Sequence, residues 1–356
     1  MADHGVSHAT LCGSGTEALT LALEGAAVLS GERSRPVALP AFSCFDVASA
    51  AARHGHPVIF YDVEPATLGP DPESLRNVMA AGARAVVLCS LFGVPLDWDV
   101  LDPILGAGDA VVIEDAAQGH GARWRGRKLG GHGRLGVLSF GRGKGWTGGA
   151  GGALLIRDGD DRERLLSLLQ PAAAGNAAII LRAAAHWVLG RPSLYGLPRM
   201  LPGLGLGETT YREVQAPTGM GAAAAALLLD SEELAEVWAG VRIRAAGHYN
   251  ESLEIRTAVS LVAEPLGGRS GYGRFPIVVP GGMAAFRDPR SAIRLGAAPS
   301  YPTTLPELTA MQALRPTGFS RNAPGASTLV RQLITLPTHD WVGTGERNRL
   351  MALLPE

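Results

Sequence analysis

Lysine is rare in this chain, and one of its two lysines stands in a turn suited to covalent chemistry. Lys128 and Lys144 are the only lysines among 32 Lys and Arg residues, and Lys144 lies in the stretch SFGRGKGWTGG. An ε-amine can lose its proton and condense with an aldehyde, whereas a guanidinium stays charged and cannot form an imine. We therefore predict that Lys144 is a nucleophilic amine and that Lys128 is a solvated turn residue. The turn is not a P-loop, because Gly145 stands where that motif needs Ser or Thr.

A second glycine-rich turn could hold a phosphate. The stretch GSGTEAL, from Gly13 to Leu19, follows a short apolar strand and opens a helix. Free N–H groups and the helix dipole favour an anion at such a helix start, and Thr16 could cap the helix and donate its hydroxyl. Two alternatives stay open. One is an ordinary N-cap turn; the other is a dinucleotide fingerprint, although the next strand lacks the acidic residue that this fingerprint requires.

Two carboxylates and an amide lie at the end of a predicted buried strand. The stretch VVIEDAAQGHG contains Glu114, Asp115 and Gln118. Unpaired buried charges are costly, so such carboxylates usually have a function, and a salt bridge to a nearby arginine is the simpler alternative. An anion cup, a carboxylate and a lysine match the phosphate, pyridine nitrogen and aldehyde of pyridoxal 5′-phosphate. The three segments together predict one site for this coenzyme.

The elements that must position these residues are short buried strands alternating with helices. Near-continuous apolar strands with helical crossovers predict an α/β fold with a mainly parallel sheet covered on both faces. In such sheets, functional loops collect at the carboxyl ends of the strands. The strand-like stretches are PVALP, PVIFYDV, RAVVLCSLFG, AVVIEDAA, RLGVLSF and GGALLIRD.

The 356 residues predict a large domain and a small one. We place a large coenzyme-binding α/β domain at residues 1–230, with a helical connecting region from about residue 157, and a small C-terminal α+β domain at residues 231–356. The apolar stretch 176–189 could contribute to a subunit contact or simply to the core.

The composition of the chain limits which binding partners and which cellular compartment we expect. The net charge of −1 predicts no nucleic-acid or anionic-membrane partner, and small-molecule partners are expected instead. No stretch reaches the ~20 apolar residues of a membrane span, and the N-terminus lacks a signal peptide pattern. Cys12, Cys44 and Cys89 are odd in number and widely spaced, which predicts buried thiols in a reducing, cytoplasmic compartment and no zinc or other metal site.

In this order, the three segments resemble the DegT/DnrJ/StrS family of pyridoxal-phosphate-dependent sugar aminotransferases. The resemblance is carried by Ser-Gly-Thr, Glu-Asp-Ala-Ala-Gln and Ser-Phe-x-x-x-Lys and covers almost the whole chain. It implies fold type I, the aspartate aminotransferase-like fold, with a mainly parallel seven-stranded central sheet. It also implies a homodimer that moves an amino group from glutamate or glutamine to a keto sugar, typically nucleotide-linked, or a related cyclic ketone.

The resemblance also implies a role for each site residue. Lys144 corresponds to the Schiff-base lysine, Asp115 to the acid that pairs with the pyridine nitrogen, and Gln118 to the residue beside the ring hydroxyl. For the ring that stacks on the coenzyme, an ungapped match gives Cys44, so Phe42 and Phe45 are the nearest substitutes, and we predict Phe42. The phosphate cup corresponds to Ser14, Gly15, Thr16, the backbone of Glu17, and Ser139.

Departures from the family pattern keep two other functions open. Family members have a further N-terminal helix and a Gly-x-Asn-x-Arg segment before the long helix, and neither has a clear counterpart here. One alternative is a pyridoxal-phosphate lyase, dehydratase or epimerase; sugar dehydratases of the family typically replace the lysine with histidine. The other alternative is a catalytically silent homologue that binds a partner. A retained Lys144 in a lysine-poor chain argues against both.

Overall fold

The structure is a computed structural model that describes residues 1–53, 55–172, 210–254, 256–316 and 322–356. The stretch 176–189, for which a subunit contact was considered, lies outside these ranges. The described strands are β1 His8–Cys12, β2 Val37–Pro40, β3 Val58–Tyr61, β4 Ala85–Cys89, β5 Val111–Asp115, β6 Arg123–Trp124, β7 Arg127–Lys128, β8 Leu135–Ser139, β9 Gly152–Ile156, β10 Ser260–Leu261, β11 Gly268–Arg269, β12 Phe275–Val278, β13 Ala298–Pro299 and β14 Leu333–Leu336.

The α-helices are distributed between the strands along the described chain. They are α1 Gly15–Ser30, α2 Phe45–Ala52, α3 Pro72–Ala80, α4 Trp98–Leu105, α5 Arg162–Leu166, α6 Ala222–Asp230, α7 Glu232–Leu253, α8 Pro289–Arg294, α9 Thr309–Gln312, α10 Pro324–Gln332 and α11 Thr344–Ala352. The alanine-rich stretch 222–253 forms two helices, α6 and α7, which meet at Ser231.

Seven strands form the central sheet, in the order β1-β9-β8-β5-β4-β2-β3. The pairs β2–β3, β2–β4, β4–β5 and β5–β8 are parallel, and only β9 runs against its neighbours β1 and β8. All five residues of β4 are buried, as expected for a strand covered on both faces. The predicted α/β fold with a mainly parallel seven-stranded sheet is confirmed.

Helix α1 shows how the sequence positions one wall of the later site. Ser14 is its N-cap, and the Ser14 hydroxyl accepts a hydrogen bond from the backbone N–H of Glu17 at 3.1 Å. The helix ends at Gly31, whose left-handed backbone is typical of glycine after a helix. Most of its apolar residues, including Leu19 and Leu21, are buried, and the helix packs on strands of the sheet. The start of α1 is therefore held at the edge where β8 ends.

The C-terminal part contains a second, antiparallel sheet in the order β10-β12-β14-β13. A second hydrophobic cluster, from Ala246 to Leu354, packs against it. The division at residue 231 stays a prediction. Leu305 and Leu329 belong to the first hydrophobic core, and β11 pairs with β6 in a small third sheet, so the two parts share packing and strand pairing.

Candidate active site

A cavity opens where three neighbouring strands end. Cys89 ends β4, Asp115 ends β5 and Ser139 ends β8, and the parallel register brings these ends to one edge of the sheet. The cavity is lined by Gly15, Thr16, Leu19, Ser43, Cys44, Asp46, Val47, Cys89, Ser90, Leu91, Asp115, Ala117, Gln118, Ser139 and Lys144. Six of the residues predicted from the sequence therefore meet in one place: Gly15, Thr16, Asp115, Gln118, Ser139 and Lys144.

Lys144 reaches this cavity from a turn that only glycines allow. Gly143 and Gly145 flank it with φ of +76° and +87°, a backbone region that residues with a Cβ rarely adopt. The Lys144 backbone N–H donates to the Gly141 carbonyl at 3.3 Å, which closes the turn. Burial raises the pKa of two other cavity residues, Asp115 and Cys44, and the positive charge of Lys144 partly opposes both shifts. The lysine thus acts electrostatically on the carboxylate predicted to share its site.

The Asp115 carboxylate lies in the cavity wall and accepts two hydrogen bonds there. Its Oδ1 accepts the backbone N–H of Ala117 at 3.0 Å, and the Cys89 thiol donates to its Oδ2 at 3.8 Å. Burial raises the pKa of the Asp115 carboxyl, while the Ala117 hydrogen bond and the Lys144 charge partly oppose that shift. Because its pKa stays raised, a cation bound beside this carboxylate would stabilise the ionised form.

The start of α1 and the end of β8 meet in a close backbone approach. A Cβ on Gly15 would lie 2.5 Å from the Ser139 Cβ and 2.6 Å from its Oγ, so no larger residue fits at position 15. Thr16 lies beside them at the first turn of the helix, where N–H groups lack intrahelical partners. This corner has the hydroxyls and the helix start expected of a phosphate cup.

Ser14 and Glu17 do not line the cavity. Ser14, rather than Thr16, provides the N-cap of α1, because the Ser14 hydroxyl takes the Glu17 N–H. The Glu17 carboxylate accepts hydrogen bonds from the backbone N–H and the hydroxyl of Thr218, at 2.8 and 2.7 Å. These two residues therefore stabilise the start of helix α1, and contact of Ser14 and the Glu17 backbone with phosphate stays a prediction.

Gln118 connects the cavity to the C-terminal part. Its Oε1 accepts the backbone N–H of Phe92 at 2.6 Å, and its Nε2 donates to the Tyr301 hydroxyl at 2.9 Å. Tyr301 is buried and stacks on Phe92, with ring centroids 6.2 Å apart. Sequence reasoning missed Tyr301, because 183 residues separate it from Gln118 and no motif surrounds it.

The structure does not bring Phe42 to the cavity. Phe42 is fully buried, and its ring packs against Tyr301 with centroids 5.3 Å apart. Cys44, two residues later, lines the cavity at the N-cap of α2. Because Phe42 turns into the core here, the predicted stacking ring is replaced at the wall by a thiol, which agrees with the ungapped match.

The remaining sequence predictions have mixed outcomes. All three cysteines are free; Cys12 and Cys89 are buried, but Cys44 is partly exposed. Burial raises the pKa of the Cys12 and Cys44 thiols to about 12, so neither is a thiolate at neutral pH. Lys128 is not simply solvated, because it lies in β7 and its Nζ is 2.8 Å from the Glu236 carboxylate. No group of residues in the described ranges could hold a metal ion.

Comparison with known proteins decides the family. The model of the DegT/DnrJ/EryC1/StrS aminotransferase family matches residues 1–354. The chain belongs to this family. The family predicted from the sequence is thereby confirmed.

Other members of the family include named enzymes and solved structures. The chain is 35% identical over 159 residues, 45% of its length and 40% of the relative's, to 3-amino-5-hydroxybenzoate synthase of Amycolatopsis mediterranei (strain S699). It is 30% identical over 270 residues, 75% of its length and 57% of the relative's, to L-glutamine:scyllo-inosose aminotransferase of Streptomyces griseus. The matches thus span only about two fifths to three fifths of these relatives.

The fold agrees with solved family members over nearly the whole chain. The crystal structure of AtS13 from Actinomadura melliaura superposes with a TM-score of 0.76 at 23% identity, covering 99% of this chain and 87% of that one. A DegT DnrJ EryC1 StrS aminotransferase from Brucella abortus gives a TM-score of 0.74 at 22% identity, covering 98% and 85%. The fold is therefore that of the fold type I, aspartate aminotransferase-like proteins. None of the helices in the described part of the chain has the length and apolar character needed to cross a membrane.

Proposed function

We propose that this protein is a pyridoxal-phosphate-dependent aminotransferase that uses Lys144 as its covalent anchor and proton carrier. The observation that carries this proposal is a single cavity lined by Lys144, Asp115, Thr16 and Ser139. When bound, the coenzyme supplies an aldehyde that takes up amines and a ring that accepts electrons. The other parts of the reaction fall to residues of this chain.

The lining residues fit the three polar groups of the coenzyme. Asp115 has a pKa raised by burial, so a protonated pyridine nitrogen beside it would supply the positive charge that its ionised form needs. Gly15, Thr16 and Ser139 form a corner at a helix start, which suits a phosphate. Gln118 is fixed by Phe92 and Tyr301 and can present its remaining amide hydrogen without adding charge.

Lys144 is proposed to hold and move the proton of the reaction. Its turn places the amine in the cavity wall, and arginine at this position could neither bond to an aldehyde nor release a proton near neutral pH. When not bonded to the coenzyme, the Lys144 Nζ atom would take a proton from the substrate carbon and donate it to another carbon of the reacting molecule. Cys44 and Leu91 contribute apolar surface that limits water around this amine.

The substrates are proposed from the family. We retain glutamate or glutamine as amino donor, and a keto sugar or related cyclic ketone as acceptor. The names of the relatives support this choice, since several are L-glutamine aminotransferases acting on scyllo-inosose or 2-deoxy-scyllo-inosose. We also propose a homodimer with its sites near the interface, and a cytoplasmic location, which is supported by three unpaired cysteines.

The two-lysine composition gives a sharp test of the proposal. Protein saturated with pyridoxal phosphate should show a visible absorption band, and borohydride reduction should leave the coenzyme on the peptide containing Lys144. We expect Lys144→Ala and Lys144→Arg to lose both signals. Lys128→Ala is the matched control, because Lys128 is the one other lysine and pairs with Glu236 away from the cavity.

The same spectra separate the alternative functions. Adding glutamate or glutamine should bleach the visible band if the protein performs the first half of amino transfer. A band that persists in Lys144→Ala would remove the proposed anchor. A Lys144-dependent band that no amino donor changes would favour a lyase or a silent homologue instead.

A further inference from the structure

Tyr301 joins the C-terminal part to the coenzyme cavity through the side-chain amide of Gln118, which lines that cavity. The backbone N–H of Phe92 can only donate, so the Gln118 atom that faces it at 2.6 Å is the carbonyl oxygen Oε1. The Nε2 group therefore faces the Tyr301 hydroxyl, which accepts one of its two hydrogens at 2.9 Å. With both ends of the planar amide held, the direction of the second Nε2 hydrogen is set as well.

The Tyr301 side chain is itself held by packing and by the second sheet. It is buried, and its ring stacks on Phe92 at an interplanar angle of 21° and packs against Phe42 with centroids 5.3 Å apart. The preceding residue, Ser300, donates its backbone N–H to the Leu333 carbonyl of β14 at 3.1 Å. The hydroxyl that holds the cavity amide is therefore positioned by the C-terminal part.

The turn that contains Phe92 depends on the same part of the chain. Phe92 and Gly93 have φ of +55° and +81°, and the left-handed region is uncommon for a residue with a Cβ. Their carbonyls accept the backbone N–H groups of Gly273 and Gly271, at 3.0 and 2.9 Å. The C-terminal part therefore supports the N–H that orients the cavity amide as well as the hydroxyl that accepts from it.

We propose that Tyr301 is a positioning residue of the coenzyme site, through which the C-terminal part controls the hydrogen bond that Gln118 offers to the coenzyme. The inference rests on the proposed function, in which Gln118 presents its remaining amide hydrogen to the coenzyme. A neutral N–H donor stabilises the anionic form of the oxygen that accepts from it. A donor held at the ring oxygen would therefore lower the pH at which the coenzyme linked to Lys144 loses its proton.

The test measures the pH midpoint of the visible band in the full chain saturated with pyridoxal phosphate. Tyr301→Phe keeps the ring contacts with Phe92 and Phe42 and removes only the hydroxyl. We expect its midpoint to rise by about 0.3 to 1 pH unit, the size expected when one neutral hydrogen bond is weakened. Tyr249→Phe is the matched control, because the Tyr249 hydroxyl is also buried and donates to the Pro337 carbonyl at 2.9 Å, within the second hydrophobic cluster. This control should titrate as the wild type does.

A double variant shows whether Tyr301 acts through Gln118. In a Gln118→Leu background, Tyr301→Phe should cause no further change, because the donor that it positions is already absent. Burial raises the pKa of Tyr301 well above its usual range, so this hydroxyl does not titrate near neutral pH. The ionisable side chains that line the cavity are unchanged in these variants: Cys44, Asp46, Cys89, Asp115 and Lys144.

The coenzyme-free protein gives a second readout that does not depend on the band. The side-chain amide signals of Gln118, identified in ¹⁵N-labelled protein by their loss in Gln118→Leu, should move in Tyr301→Phe and stay in place in Tyr249→Phe. Amide signals that do not move in Tyr301→Phe would overturn the inference whatever the coenzyme does.

The inference alone is overturned if the wild type shows the Lys144-dependent band but Tyr301→Phe keeps or lowers its midpoint. The same conclusion follows if Tyr249→Phe raises the midpoint as much, or if Tyr301→Phe raises it equally with and without Gln118. A wild-type protein with no Lys144-dependent band would overturn the proposed function, and this inference with it.

Discussion

Glu114 and Asp115 are adjacent carboxylates at the end of one strand, and the structure uses them in opposite ways. Glu114 is fully buried, and its Oε2 accepts the backbone N–H of His132 at 2.7 Å and lies 3.4 Å from the His132 Nδ1. Asp115 lies in the wall of the coenzyme cavity and has Lys144 as the cationic side chain that acts on it there. One carboxylate supports the fold, and the other faces a site for a ligand.

The two carboxylates have different roles because adjacent residues of a strand point to opposite faces of the sheet. Alternation turns Glu114 towards the loop at His132 and Asp115 towards the cavity. Glu114 is engaged by the protein itself, and its partner is the histidine loop rather than the arginine considered from the sequence. Burial raises the pKa of Asp115, so its ionised form is disfavoured in the ligand-free protein. A cation bound beside it would stabilise that ionised form.

The largest effect is expected from Asp115→Asn. The amide keeps the shape and the Ala117 hydrogen bond but cannot stabilise a protonated pyridine nitrogen, so the proposed amino transfer should fall roughly 10²- to 10³-fold. Single-turnover kinetics of the half-reaction with glutamate or glutamine measure this loss. Glu114→Gln is the matched control, for which we expect less than about a tenfold change. An equal loss in both variants would contradict the division of roles.

For the free energy of unfolding, we expect the order of the two variants to be reversed and the effects to be smaller. Glu114→Gln replaces a charged acceptor buried beside His132 with a neutral one, which should lower the free energy of unfolding by about 1 to 2 kcal/mol. Asp115→Asn should not destabilise the coenzyme-free protein, because it removes a carboxylate that burial already disfavours. Urea denaturation of both variants without coenzyme measures the difference. A greater loss for Asp115→Asn than for Glu114→Gln would reverse the comparison.

The parts of the site that the sequence predicted are local. Asp115 and Ser139 end strands, Lys144 lies in the glycine turn after β8, and Gly15 and Thr16 open the first helix. Strand pattern and glycine turns therefore predicted that these residues meet in one site. The same local patterns predicted an α/β fold with a mainly parallel sheet, whereas the number of seven strands came from the family resemblance. Parallel strands end at a common edge, which is why local motifs separated along the chain converge there.

The parts that were missed depend on side-chain direction and on distant packing. Whether Phe42 or Cys44 faces the cavity is decided by the path of the loop before α2, which propensity does not specify. Tyr301 reaches Gln118 through packing of the C-terminal part against the first core.

The smallest effect, and the most specific one, is the pH dependence of stability. Burial raises the pKa of Asp115 above its unfolded value of 3.8, so the folded state holds this proton more tightly. The contribution to stability is therefore fully present below pH 3.8 and is lost as the pH rises through the raised pKa. Asp115→Asn does not titrate, so without coenzyme its stability relative to wild type should increase over that range and then level off. Urea denaturation across a pH series measures this, and saturating pyridoxal phosphate should abolish the rise, because a bound cation removes the cost of ionising Asp115. A stability difference that stays constant with pH in the coenzyme-free protein would mean that burial does not raise the pKa of Asp115 in the folded state.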